Sequence, residues 1–335
     1  MRMPVSTSGS HMSKWEKERG GIGFSSFGNV IRMDMIKALK FNLATRFGAV
    51  VAVTLFLATA ASGADKAGEP KGSFAKYGTN KVYYVVEGKG DKAIVLVHCW
   101  SGNLGFWDEQ ASVLAKQTRV VRLDLPGHGQ SDKPYVDYTM DYFAGAVLAV
   151  MREAKVEKAT LVGHSMGAPV ICRVYKQAPE RVAALVSVDG TLRKLKMPSE
   201  QLEPFLATFR APDYKEKARA FFATMFPVPG TEQVRDRVLN EMFETPQYVA
   251  AGAMEAMFKP DEPDWDPHHV NAPVIVMNAP NPMWNDEYKE YVKSLSDKTE
   301  YRAFEGVGHW LMLEKPAEFN AALLEMLGKY GLIGK

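Results

Sequence analysis

The chain has 335 residues, of which 46% are hydrophobic and 24% are charged, as in ordinary soluble globular proteins. A chain of this length can bury a large core, so it needs neither a disulfide framework nor a structural metal to fold. The formal net charge of +2 is small, and the globular part has no basic run interleaved with aromatic residues, which argues against a nucleic-acid partner.

The first 64 residues are predicted to lie outside the folded domain. The letters GSHM within residues 1–32 are typical of a vector or tag remnant, and we assign this range to a tag or an upstream leader. Met33 or Met35 then opens a basic segment, followed by the apolar run Phe47–Ala61 and by small residues. This order predicts a secretory signal over residues 33–64, and hence an exported, periplasmic or secreted bacterial protein without stable membrane anchoring after signal removal. A membrane anchor is the alternative, but the run is short for a span of ~20 residues.

From about Lys81 onward, short β-branched runs alternate with longer amphipathic segments. Most runs are nearly continuous in apolar residues, as expected when helices cover both faces of a parallel sheet. The predicted strands, in chain order, are KVYYVVEG, AIVLVHC, RVVRLDL, ATLVGH, VAALVSVDG, PVIVMNA and TEYRAFEGV. The predicted helices between them include Asp108–Lys116, Tyr138–Glu153 and Ala168–Ala178. This alternation predicts a doubly wound α/β sheet.

One long interval breaks the alternation. Residues 191–270 carry no strand signal, only helical periods interrupted by prolines. We therefore predict a core built from residues 73–190 and 271–335, with a helical cap inserted over residues 191–270. The inserted segment is rich in Phe and Met, most of which must form its own small core. Some of them would line an apolar pocket if the cap covers a site.

The stretch ATLVGHSMGAPV places a serine at a tight turn between a predicted strand and a predicted helix. Such a turn brings the backbone close on both sides, so glycines are needed two residues before and two after Ser165, where Gly163 and Gly167 stand. The turn exposes the hydroxyl at the carboxyl edge of the sheet. It also directs the helix N-terminus toward the hydroxyl, where N–H groups and a positive field favour an oxyanion. Ser165 is therefore predicted to be a nucleophile.

His309 lies in the predicted loop between the last strand and the last helix, within FEGVGHWLMLEKPAEF. A base for Ser165 must come from a different loop at the same sheet edge, and the order serine then histidine suits this layout. None of the seven histidines has a better position. A histidine that only caps or packs is the alternative.

Neither the cysteines nor the histidines predict a metal site. No Cys/His spacing is typical of zinc, and the adjacent His268 and His269 would point apart on most backbones. Cys99 and Cys172 could pair in an oxidising compartment, but their contexts, a strand end and a helix interior, favour two buried thiols. We expect neither a metal nor an organic cofactor.

Four segments together resemble the α/β-hydrolase superfamily, in particular its lidded serine esterases. They are VLVHCWSGN, LDLPGHGQSD, VGHSMG and GHWLMLEKPAEF, and the resemblance runs from about Lys81 to Leu332. It implies the α/β-hydrolase fold, a mostly parallel doubly wound sheet with a helical cap inserted between strands six and seven. It also implies that His128 and Asp124, in the Pro-Gly-His-Gly loop, serve to fix a turn.

The resemblance further implies an oxyanion hole formed by two backbone N–H groups, those of Trp100 and Met166. The family usually has glycine where this chain has Cys99, so a thiol is expected beside the site. Three neighbours of the proposed catalytic positions are predicted to contact the substrate, namely Cys99, His164 and Trp310.

The group that orients His309 is left open among several residues. At the end of strand seven, where the family usually has aspartate, VIVMNAPNPMW aligns Asn281, whose amide carries no charge to stabilise an imidazolium. In a well-studied serine protease, replacing the triad aspartate by asparagine lowers kcat about 10⁴-fold. The resemblance favours Asp189, at the end of the preceding strand, a position that some members of the superfamily use. The alternatives are Asp286 or Glu287, at the start of the next helix, or a Ser–His dyad without an acid.

These residues predict an enzyme that cleaves a carboxylic ester through an acyl-enzyme on Ser165, with His309 and Asp189 completing the triad. The expected partner is a small-molecule ester of small to moderate apolar size, and the oligomeric state is left open. A serine nucleophile argues against dehalogenase and epoxide hydrolase relatives, which use an aspartate. Lactonase, C–C hydrolase and perhydrolase chemistry on the same fold are alternatives. So is a homologue that binds a small ligand under the cap without turning it over.

Overall fold

The structure is a computed structural model that describes residues 71–195, 197–258 and 269–334. The predicted tag and signal segments and His268 lie outside these ranges, so their assignments stay predictions. Within the described ranges, no helix combines the length and apolar character needed to cross a bilayer.

The strands of the described residues form one eight-stranded sheet in the order β1-β2-β4-β3-β5-β6-β7-β8. The β1 and β2 strands pair antiparallel, β2 and β4 also pair antiparallel, and all other neighbours run parallel. This mostly parallel sheet confirms the predicted α/β fold class. The strand bounds are β1 Ser73–Tyr77, β2 Asn80–Glu87, β3 Ala93–Val97, β4 Arg119–Leu123, β5 Ala159–His164, β6 Val182–Val188, β7 Val274–Asn278 and β8 Thr299–Ala303.

The edge strand β1 is not among the strands predicted from the sequence. Its five residues, SFAKY, include only one buried side chain, that of Ala75, so the segment lacks the apolar run that marks the other strands. The central strands differ sharply, because every residue of β3, β5 and β7 is buried. Burial on both faces explains why these strands are nearly continuous apolar runs.

The helices alternate with the parallel strands and place the connecting loops at the ends of the sheet. The α-helix bounds are α1 Asp108–Leu114, α2 Met140–Glu153, α3 Gly167–Gln177, α4 Ser199–Arg210, α5 Tyr214–Ala223, α6 Glu232–Met242, α7 Gln247–Met257, α8 Asp286–Leu295, α9 Leu311–Glu314 and α10 Pro316–Lys329. The predicted helices begin and end within two residues of α1, α2 and α3. At α2 the boundary is set by Thr139, whose hydroxyl accepts a hydrogen bond from the N–H of Tyr142 at 3.0 Å.

Helices α4 to α7 follow one another between β6 and β7, and we call them the insertion. They contact the loops that leave the carboxyl ends of the parallel strands. The indole N–H of Trp100, after β3, donates to the carbonyl of Ala250 at 2.7 Å. The backbone N–H of His309, after β8, donates to the carbonyl of Met225 at 3.0 Å. The insertion therefore lies against the sheet edge at which the predicted site residues gather.

Candidate active site

Ser165 occupies the turn between β5 and α3 in the left-handed region, with φ +53°. Its N–H donates to the carbonyl of Val188 in β6 at 2.9 Å, which ties the turn to the neighbouring strand. A Cβ on Gly163 would lie 2.3 Å from the carbonyl oxygen of Gly167, and one on Gly167 would lie 2.5 Å from the carbonyl oxygen of Val97. No side chain fits at either position, which is the physical reason for the glycine spacing. The strained turn leaves the Ser165 side chain half-buried rather than enclosed.

His309 and Asp189 are hydrogen-bonded to each other at this sheet edge. The Nδ1 atom of His309 lies 2.5 Å from Oδ2 of Asp189, whose side chain is only 3% exposed. The other carboxylate oxygen, Oδ1, accepts from the backbone N–H of Ala279 at 2.9 Å and from the indole N–H of Trp284 at 3.1 Å. A carboxylate only accepts, so Nδ1 of the imidazole carries a proton and Nε2 is left to act as a base.

The other groups weighed for the acid position are engaged elsewhere. The side-chain oxygen of Asn281 accepts from a backbone N–H two residues later at 2.9 Å and caps a short turn. The Asp286 side chain is 97% exposed and pairs with a lysine at 3.3 Å. The Glu287 side chain is 74% exposed and pairs with an arginine at 2.8 Å. Within the described part of the chain, Asp189 is the carboxylate hydrogen-bonded to the His309 imidazole.

Two backbone N–H groups beside the Ser165 turn have no hydrogen-bond acceptor among the described residues, and they belong to Trp100 and Met166. Met166 follows Ser165 directly and precedes the first residue of α3. Trp100 lies in the loop after β3, and the next residue, Ser101, has φ +53°. The contact between Gly167 and the end of β3 brings that loop beside the turn of Ser165. Two such N–H groups are the donors that an oxyanion hole requires.

The residues predicted to contact the substrate all have buried side chains. The Nε2 atom of His164 lies 2.8 Å from the His309 carbonyl, and its ring centroid lies 4.8 Å from that of His309. The Trp310 ring meets the His309 ring edge-on at 4.8 Å. Burial lowers the pKa of His164 well below 6.5 and raises the pKa of Cys99 to about 12, so both groups are neutral near pH 7. His164 therefore supports the histidine loop, and the substrate contact of these three residues stays a prediction.

A carboxylate that was not predicted from the sequence, that of Glu314, holds the histidine loop. Glu314 accepts hydrogen bonds from the backbone N–H groups of Gly308 at 2.8 Å and of Trp310 at 3.3 Å, on either side of His309. Burial raises the pKa of Glu314. The letters of GHWLMLE contain this residue, but an acid at the end of a short helix gives no signal of which way it points.

The loop after β4 is fixed by buried polar groups. The two oxygens of Asp124 accept from backbone N–H groups at 2.7 and 2.8 Å, and Nδ1 of His128 donates to the Pro126 carbonyl at 3.0 Å. His98, the first residue of the loop after β3, accepts from the N–H of Leu125 at 2.9 Å. Burial lowers the pKa of His98 to about 3 and that of His128 to about 4. Asp124, His128 and His98 therefore hold the backbone of the loop after β4 in place through hydrogen bonds.

Two further predictions concern metals and cysteines. In the described residues, no group of three or more His, Cys, Asp and Glu side chains is placed to hold a metal ion. Cys99 and Cys172 are both buried, and no disulfide joins them.

Comparison with known protein families matches residues 92–316 to the family described as alpha/beta hydrolase fold. One similar protein is the dihydrolipoyllysine-residue acetyltransferase component of the acetoin cleaving system of Pseudomonas putida, 28% identical over 275 residues, which are 81% of this chain and 73% of that protein. Another is the pimeloyl-[acyl-carrier protein] methyl ester esterase of Methylococcus capsulatus, 34% identical over 148 residues, 42% of this chain and 56% of that protein.

Solved structures give the same architecture. An N-acyl homoserine lactone degrading enzyme superimposes with a TM-score of 0.63 at 26% identity, covering 76% of this chain and 99% of its own. An esterase from Exiguobacterium antarcticum superimposes with a TM-score of 0.69 over 77% of this chain and 100% of its own. Its identity of 18% makes this second likeness one of fold alone.

Proposed function

The chain belongs to the alpha/beta hydrolase fold family, and on that premise we propose that it cleaves carboxylic esters with Ser165 as the nucleophile. The observation that carries the proposal is the 2.5 Å hydrogen bond between His309 and the buried Asp189. It lies at the same sheet edge as the strained turn of Ser165, which is where a nucleophile, a base and an acid must meet. The relative from Methylococcus capsulatus, named a methyl ester esterase, supports the same class of reaction.

The proposed reaction has two halves, formation and hydrolysis of an acyl-enzyme, and the same catalytic groups act in both. Nε2 of His309 takes the proton of Ser165 as its oxygen attacks the ester carbonyl, and the carboxylate of Asp189 stabilises the imidazolium that forms. The N–H groups of Trp100 and Met166 donate to the oxyanion. His309 then protonates the leaving alcohol, an acyl-enzyme remains, and water repeats the sequence to release the acid.

Aromatic side chains of the insertion support an apolar substrate group of small to moderate size. The Trp100 ring is stacked on Phe222 at 4.8 Å and meets Phe209 edge-on at 5.4 Å. Phe205 in turn contacts the Phe209 ring at 5.2 Å. Such rings favour an apolar acyl or alcohol group next to the reacting carbonyl.

A lactone is a second candidate substrate, because it is a cyclic ester that opens by the same steps. The observation that favours it is the likeness to an N-acyl homoserine lactone degrading enzyme, at 26% identity over 76% of this chain. Near neutral pH, opening of a lactone and cleavage of an open-chain ester each release one proton, so pH-stat assays run side by side on an N-acyl homoserine lactone and on an open-chain methyl ester compare the two substrate classes.

Turnover of p-nitrophenyl esters by matched variants tests the assignment of the acid. Ser165→Ala should abolish turnover. Asp189→Asn should lower kcat by about 10³–10⁴, the scale seen when a triad aspartate loses its charge. Asp286→Asn and Glu287→Gln are the controls, because both side chains are exposed at the same edge, and they should keep the unmodified rate. A near-normal Asp189→Asn, or a comparable loss in a control, would contradict the assignment.

A phosphonate probe for activated serines tests the nucleophile independently of any substrate. The unmodified chain should be labelled on Ser165, and Ser165→Ala should not be labelled. If the folded protein reacts with no phosphonate and turns over no ester or lactone, the proposal of catalysis fails. A small-ligand-binding homologue would then be the better description.

A further inference from the structure

The end of insertion helix α5 and the residues after it, Phe222–Pro227, form a segment that we call the α5 end. It contacts the loop that carries His309. The backbone N–H of His309 donates to the carbonyl of Met225 at 3.0 Å. A Cβ on Gly308 would lie 2.2 Å from that same carbonyl oxygen. The two segments therefore touch backbone to backbone, with no space for a side chain between them.

Aromatic stacking joins the α5 end to both loops that carry proposed catalytic groups. Phe226 stacks on Trp310, next to His309, with ring centroids 4.6 Å apart and planes inclined by 4°. Phe222 stacks on Trp100, the proposed oxyanion donor, at 4.8 Å and 19°. Both tryptophans are buried to 2% exposure or less, so each stack is a packed contact rather than a surface one.

The rest of the histidine loop is held by one residue of β5 and one of α9. His164 is bonded to the His309 carbonyl at 2.8 Å, and Glu314 accepts from the N–H groups on either side. The N–H of His309 itself is bonded only by the α5 end among the described residues. The insertion thus supplies one of the backbone bonds that fix where the imidazole stands.

We propose that the α5 end is a positioning element for catalysis. Met225 and Phe226 hold His309, and Phe222 holds the loop after β3 that carries Trp100. The insertion thereby completes the site as well as bounding the substrate. This inference rests on the proposed ester hydrolysis by Ser165. The residues of the α5 end act through other groups, so they are positioning residues and not catalytic ones.

A residue that positions the catalytic groups and a residue that only lines the acyl pocket should affect the kinetics differently when they are replaced. The imidazole and the oxyanion donors serve every substrate, so their displacement lowers kcat by a similar factor for short and long acyl chains. A residue that only lines the acyl pocket changes KM, and does so more for long chains than for acetate. Displacement of a reacting group by about 1 Å can cost about 10²-fold in rate.

Phe226→Ala separates these roles, with Phe221→Ala as the matched control. Phe221 lies in α5, five residues before Phe226, and is 41% exposed, and its ring contacts are with Phe205 and Phe222 rather than with Trp310. We expect Phe226→Ala to lower kcat about 10- to 100-fold on both p-nitrophenyl acetate and octanoate, with KM changed less than about threefold. Phosphonate labelling of Ser165 should slow by a similar factor. Phe226→Tyr, which keeps the ring, should restore most of the rate.

Gly308→Ala probes the same contact from the histidine loop and serves as the second variant if Phe226→Ala fails to fold, as judged by circular dichroism. It should reproduce the kcat loss on both esters. A KM increase confined to the octanoate ester at unchanged kcat would overturn the positioning role. So would equal losses in Phe226→Ala and Phe221→Ala, while an active unmodified enzyme leaves the proposed function intact. If the unmodified protein shows neither turnover nor labelling, the proposed function and this inference fall together.

Discussion

His98 and His128 should make the fold sensitive to mild acid. Both are fully buried, and their ring centroids lie 5.0 Å apart, with His98 in the loop after β3 and His128 in the loop after β4. Burial lowers the pKa of His98 to about 3, with the neighbouring His128 adding to the effect, and lowers the pKa of His128 to about 4. The folded protein therefore keeps both rings neutral at pH values where the unfolded chain protonates them. The free energy of unfolding is unaffected by these sites above pH 6.5 and falls as the pH drops from 6.5 toward 4.

The size of this effect follows from the pKa values. A pH of 5 lies roughly 1.5 units below the pKa of histidine in the unfolded chain, and each unit of pKa difference corresponds to about 1.4 kcal/mol. Each buried site therefore removes roughly 2 kcal/mol of unfolding free energy between pH 7.5 and pH 5, and the pair removes about 4 kcal/mol. That is a large share of the 5–15 kcal/mol that is typical for folded domains, taken as an order of magnitude.

Urea unfolding followed by tryptophan fluorescence at pH 7.5, 6 and 5 measures this loss. His128→Gln should reduce the drop between pH 7.5 and 5 by about 2 kcal/mol. At pH 7.5 it should itself cost about 1 kcal/mol, because the bond from His128 to the Pro126 carbonyl is altered. The unmodified protein, measured at the same three pH values, is the reference. An equal drop in His128→Gln and in the unmodified protein would refute this account of the buried ring.

Two further substitutions test the turn geometry. Gly190→Ala would place a Cβ 2.7 Å from the Ser165 carbonyl oxygen and 2.5 Å from the Ala168 Cβ, so the turn of Ser165 must shift. The kcat on p-nitrophenyl acetate should fall while the far-ultraviolet circular dichroism is retained. An unchanged kcat would contradict this expectation. Asp124→Asn turns one of two acceptors into a donor that faces a backbone N–H, which should lower the unfolding free energy by about 1–3 kcal/mol in urea. The exposed Asp286→Asn is its control, and equal stability of the two variants would show that the Asp124 bonds are dispensable.

The fold class and the tight turn at Ser165 could be predicted from the sequence because interactions between residues close in the chain determine them. A strand that is buried on both faces consists almost entirely of apolar residues, so it is visible in the sequence. The close backbone approach around Ser165 leaves space only for glycine at two nearby positions. The edge strand β1 escaped prediction because only one of its five side chains is fully buried. His309 followed from chain order alone, since a base must come from a later loop at the same edge.

The hydrogen-bond partner of His309 was decided by tertiary structure. The three carboxylates weighed from the sequence all follow strands at the same sheet edge, and no local pattern separates them. Packing does so, by burying Asp189 against His309 and the indole N–H of Trp284 while leaving Asp286 in solvent.

The contacts of the α5 end were likewise decided by tertiary structure. Residues 222–226 meet the histidine loop, more than 80 positions later in the chain, through a backbone carbonyl and one stacked ring. A second stacked ring meets Trp100, more than 120 positions earlier. A strand, a helix or a tight turn is determined by atoms a few residues apart, so the sequence by itself determined those. Which carboxylate and which ring reach a given imidazole depends on how distant segments pack, and only the folded chain decided that.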